Sequence, residues 1–74
     1  MNDDDPEAAQ IEGQARARLA LLRQEHADLE ASVHALEALP LPDQILIARL
    51  KRKKLALRDR IVRLEDELTP DIIA

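Results

Sequence analysis

His26, His34, Ser32 and Thr69 are the residues from which a nucleophile–base pair or a metal site would have to be built, and their spacing works against each. Ser32 and His34 are two apart, so on a helix they point to different sides. Neither histidine has an acid three residues before it, as the Glu-x-x-His motif of helical di-metal bundles requires. The histidines are eight apart, not at the i, i+4 spacing of a helical zinc site. The 74 residues include no cysteine, which removes disulfides and thiolate ligands, and one glycine, which removes a glycine-rich phosphate loop. The many carboxylates read as solvated helix faces. No catalytic residue, cofactor site, metal site or small-molecule substrate is expected.

The elements that carry these residues are two heptad ladders separated by Leu39-Pro40-Leu41-Pro42-Asp43. Before the break, Ala15, Leu22, Leu29 and Leu36 form the d row and Leu19, His26 and Val33 the a row. After it, a is Ile47, Lys54, Ile61 and Leu68, and d is Leu50, Leu57 and Leu64. An antiparallel pair sets a against d, which gives the layers Leu36–Ile47, Val33–Leu50, Leu29–Lys54, His26–Leu57, Leu22–Ile61, Leu19–Leu64 and Ala15–Leu68. The numbers of every layer add to 83, as do those of Pro40 and Asp43, so one register satisfies both ladders and the turn.

The predicted fold is all-α: a two-helix antiparallel coiled-coil hairpin. Residues 1–5 should fray. The first helix should span 6–39, starting at Asp5-Pro6-Glu7, where an acid caps and proline suits the first turn. The turn should be 40–42, because a residue before proline is pushed out of the helical region. The second helix should span 43–69, with 70–74 a short tail. Gly13 costs about 1 kcal/mol against alanine inside a helix and should weaken the first turns.

The core must be aliphatic, because the chain has no Phe, Tyr or Trp. A hairpin this small buries little surface and usually needs a partner. Two polar residues sit in adjacent seam layers, His26 and Lys54. Polar groups at a positions specify register at a cost in stability. The functional counterpart is a pH-sensitive or docking spot, since histidine titrates near neutrality. Lys54 is expected to lay its methylenes along the seam and send its ammonium to water, Glu25 or Asp28.

Net charge is −4, but strongly segregated. Residues 44–63 hold eight bases (Arg49, Lys51, Arg52, Lys53, Lys54, Arg58, Arg60 and Arg63) against Asp59 alone, between acidic segments on either side. Much of this block would be neutralised against the acidic first helix. Outside the seam, Ala48, Leu55 and Val62 recur every seven residues. With Leu46 they form a candidate second contact face, through which two hairpins would build a four-helix bundle.

These observations predict a protein–protein interaction module or small subunit. It would pack against itself or another helical protein, with Leu46, Leu55 and Val62 as anchors and Lys51, Arg52, Lys53 and Arg58 as electrostatic guides. The alternative is a nucleic-acid-associated protein using the basic face of the second helix; the lack of stacking aromatics and the acidic total weigh against it. No apolar run approaches a membrane span and no signal peptide is evident, so a cytoplasmic setting without membrane contact is expected.

The run His26-x-x-Leu29-Glu30-x-x-Val33, followed by Arg49-Leu50-Lys51-Arg52-x-Lys54-Leu55-x-Leu57-Arg58-Asp59-x-Ile61, resembles the YdcH-like family of small bacterial proteins, over about residues 19–69. The resemblance implies a helical hairpin of this length and a bacterial cytosolic setting. It implies no activity, the family being a domain of unknown function. His26, Lys54, Leu55 and Asp59 fall within its pattern. Departures are the tight Leu39-Pro40-Leu41-Pro42 turn, where some relatives have a longer, glycine-containing loop, and the Asp-rich start. The Thr69-Pro70-Asp71-Ile72-Ile73-Ala74 ending resembles one subset of relatives, with Ile72 and Ile73 placed to fold over the first helix or to dock in a partner.

Overall fold

The computed structural model describes residues 6–69; the expectations for residues 1–5 and 70–74, including Ile72 and Ile73, fall outside the described residues. Two helices, α1 (Pro6–Glu37) and α2 (Gln44–Leu68), pack antiparallel as a hairpin, with no strand among the described residues. The Cα envelope is 57 × 26 × 15 Å. The buried residues all lie on the one seam between the helices, so the molecule is a single layer and every described residue off the seam meets solvent.

The strong helix formers from Gln14 onward carry α1 through Gly13 without a break. The helix stops at Glu37, two residues earlier than the proline rule alone predicts. The Ala38 N–H is shared between the carbonyls of His34 (3.2 Å) and Ala35 (3.3 Å), and the Leu39 N–H reaches Leu36 at 3.3 Å. The last turn thus tightens to i−3 bonding before Pro40 closes the path. At the other side of the turn, Asp43 lies just outside α2 rather than in its first turn. Its backbone is extended (φ −80°, ψ 97°), and its carboxylate accepts the Leu46 N–H at 3.0 Å, an N-cap. Thr69 closes α2: its N–H and its hydroxyl both donate to the Glu65 carbonyl, at 3.0 and 2.8 Å.

The seam is the one the heptads specify. All fourteen a and d residues are at least partly shielded from solvent, with Leu19, Leu22, Val33, Ile47 and Leu57 buried. Among the described residues no side chain is completely buried, the direct consequence of having only two helices. Two cross-helix ion pairs report the same register independently. Arg23 Nη2 meets Glu65 Oε2 at 2.6 Å, and Lys51 Nζ meets Glu37 Oε2 at 3.0 Å. All four residues are e positions, where an antiparallel register adding to 83 places facing charges. The heptad-paired part of the hairpin ends at Ala15–Leu68; beyond it, Ala8, Ile11 and Glu12 of α1 share an open hollow with Glu67 and Leu68 at the end of α2.

Candidate interaction surface

Leu55 and Val62 lie at b positions of α2, one heptad apart, and stay 60% and 44% exposed. With exposed Ala48 they form a narrow apolar stripe about 21 Å long at 1.5 Å per residue. Lys51 and Arg58 flank it on the seam side, and Arg52 lies toward the back of the helix. Lys51 is already held by Glu37.

Leu46 and Lys53 do not join this group. Leu46 is nine residues from Leu55, half a revolution out of phase, and it is half-buried. Lys53 lines a groove on the opposite side of the hairpin with Glu25, Asp28, Leu29, Ala56, Leu57 and Arg60. The anchors and guides taken together from sequence therefore divide between two faces.

His26 and Lys54 occupy adjacent seam layers and are half-buried, as their a positions require. No buried side-chain nitrogen or oxygen lacks a partner among the described residues, so the seam tolerates both without an orphaned polar atom. The ion pairs of the described residues are Arg16–Glu12, Arg23–Glu65 and Lys51–Glu37. Lys54 is in none of them, and Asp28, one of its expected partners, instead accepts from Gln24 at 3.0 Å. Of the eight bases between residues 44 and 63, Lys51 alone is ion-paired with a described residue, so direct pairing with the described part of α1 covers far less of the block than the charge count predicts.

Two apolar features, one on α1 and one at the turn, were not singled out by sequence reasoning. Leu21, at a c position of α1, is 68% exposed. Leu39, Leu41 and Ile45 crowd the turn, with Leu41 at 92%. The signal for these was available: each is a large aliphatic residue off both ladders. Glu65 is half-buried because it bends over the seam to reach Arg23.

Among the described residues, no group of three or more His, Cys, Asp or Glu comes together in a way that would hold a metal ion. Among the described residues, no helix is long and apolar enough to cross a membrane.

The hairpin, its single seam and its charged cross-helix pairs define a small all-α coiled-coil protein. A family model described as "Protein of unknown function (DUF465)", the YdcH-like family, matches residues 19–65, and the chain belongs to that family. The match spans the seam from Leu19 to Glu65, so the family pattern is the hairpin itself. No curated protein and no solved structure gives a significant match.

Proposed function

We propose that this protein is a non-catalytic docking module of the bacterial cytoplasm that joins helical surfaces, either to a second copy or to another helical protein. One observation carries the reading: Leu55 and Val62 remain exposed in a straight row while every a and d residue is shielded. An apolar row at heptad spacing, bordered by charge, suits an amphipathic partner helix. A hairpin with no completely buried side chain among its described residues also has stability to gain from association. Arg58 and Arg52 would steer an acidic partner toward the row.

Sedimentation equilibrium on the wild type and Leu55→Asp tests this. A mass above 8.3 kDa that falls to 8.3 kDa in the variant assigns the row to a second copy. A monomer in both, with host-protein capture abolished by Leu55→Asp, assigns it to another protein. A monomer whose captures ignore the substitution removes the reading.

The second reading, a nucleic-acid-associated hairpin, is favoured by most of the basic block having no ion pair with a described residue. Phosphate-backbone contacts weaken steeply with salt. A mobility-shift titration that shows no binding even at low salt eliminates it.

A further inference from the structure

The cross-helix charges are complementary where they face each other, with one exception. On the e side the facing pairs are Arg23–Glu65, Glu30–Arg58 and Glu37–Lys51, of which the first and last close as ion pairs. On the g side, Glu25 faces Lys53, but the next pair is Arg18 with Arg60. The register therefore sets two exposed arginines opposite each other across the seam, with Glu25 lining a neighbouring hollow with both. Arg63, three residues from Arg60 and on the same side of α2, joins them. All three line one hollow of about 160 Å³, floored by Leu22 and Leu64 and bordered by Glu67. None of the three arginines is in an ion pair with a described residue, and three guanidiniums face one carboxylate there. A hollow of this size admits several waters, and so has room for a tetrahedral oxyanion.

We propose that Arg18, Arg60 and Arg63 form a binding site for a phosphate group. Each guanidinium is a planar donor fork suited to phosphate oxygens. Arginines from two helices grip the group from both sides of the seam, and the apolar floor keeps water from surrounding it. A bound phosphate converts the Arg18–Arg60 repulsion into mutual attraction through the anion. Binding therefore also ties α1 to α2 at this level. The site lies on the opposite face from Leu55 and Val62, so it stands or falls separately from the docking row. Inorganic phosphate and a phosphodiester of a nucleic acid strand both present anionic phosphoryl oxygens to such a site, and the two titrations below separate them.

The test follows the arginine Nε–Hε resonances and the melting temperature by circular dichroism. Inorganic phosphate and, separately, a short single-stranded oligonucleotide are titrated against chloride at matched ionic strength. The comparison is between wild type, Arg60→Gln, Arg18→Gln and a control, Arg49→Gln, in the basic block but outside the hollow. Saturable shifts of the Arg18, Arg60 and Arg63 signals are expected in wild type and Arg49→Gln. Affinity should fall about tenfold or more when either Arg18 or Arg60 is replaced, the scale of one lost charge-assisted contact. In chloride alone, Arg60→Gln should melt higher than wild type, because the repulsion is gone, yet gain less from phosphate. Response to phosphate alone identifies a free anion, and response to the oligonucleotide alone identifies a diester. Absence of shifts in both titrations overturns the site, as do shifts that persist unchanged in Arg60→Gln and Arg18→Gln, which would mark diffuse screening.

Discussion

Arg23 reaches across the hairpin to Glu65, 42 positions away in the chain, and closes a 2.6 Å bond between two e positions. The pair marks the register but does little to hold it. Both side chains keep substantial solvent contact, and such pairs contribute about 0.2–1 kcal/mol. Arg23→Glu should destabilise the hairpin by placing two acids together, Glu65→Arg should do so through two bases, and the double exchange should recover most of the loss. A double-mutant cycle by urea unfolding, read as helical circular dichroism because the chain has no Trp or Tyr, measures the coupling. A coupling of zero would show that the register rests on the apolar layers alone.

The Asp43 cap is worth more. Its carboxylate satisfies the Leu46 N–H at the one place where α2 must restart abruptly after two prolines. Asp43→Ala should cost about 1 kcal/mol and Asp43→Asn much less, since asparagine caps comparably. Equal losses in the two variants would point to charge at the helix N-terminus instead of the hydrogen bond.

Seam and surface leucines should separate cleanly. Leu22 is 5% exposed, and Leu22→Ala should cost about 2–3 kcal/mol, the lower part of the core range, because a two-helix seam leaves the site open to collapse or hydration. Leu55→Ala should change stability by no more than about 0.5 kcal/mol in a monomer. A large loss in Leu55→Ala that scales with protein concentration would instead place Leu55 in an association interface.

Gly13 offers a gain. It lies inside α1 beyond the paired seam, and a methyl group added there meets nothing within 4 Å. Gly13→Ala should raise helicity and add up to about 1 kcal/mol to the local stability of the first turns. Because those turns lie beyond the last heptad layer and meet only the end of α2, the gain should appear in amide exchange of residues near Gly13 more than in the global unfolding midpoint.

The seam was fully legible in the sequence because apolar residues at 3.5-residue spacing leave one antiparallel register open. Each a and d position from Ala15 to Leu68 is shielded as the ladders require. The end of α1 was less so: the proline rule bars the residue before Pro40, but the tightening at Ala38 and Leu39 depends on how the chain must turn toward Asp43. Grouping Leu46 with Leu55 followed shared hydrophobicity and overlooked phase, since nine residues turn the helix to its other side. The pairing of the basic block was not legible from charge totals. Which carboxylate a long side chain meets depends on its row, and only the e row brings Lys51 within reach of Glu37. The Arg18–Arg60 confrontation was implicit in the same register and emerges once the g rows are laid against each other.

His26 is the remaining experiment on the seam. It sits half-buried opposite Leu57, with the Leu29–Lys54 layer beside it, so two successive layers each bury part of a polar side chain. A polar a residue trades stability for a unique alignment. His26→Leu should therefore raise the unfolding midpoint, by about 1 kcal/mol in free energy, the scale of exchanging an imperfectly solvated polar group for an aliphatic one in a half-open site. The same variant loses one of the two markers that reject shifted or intermolecular pairings. Its oligomeric state, followed by light scattering across concentration, should become more heterogeneous, and His26→Leu combined with Lys54→Leu more heterogeneous still. If both variants gain stability yet keep the wild-type mass and the Arg23–Glu65 coupling, the polar layers do not specify register. Their retention would then have to be explained by something His26 and Lys54 contact outside this chain.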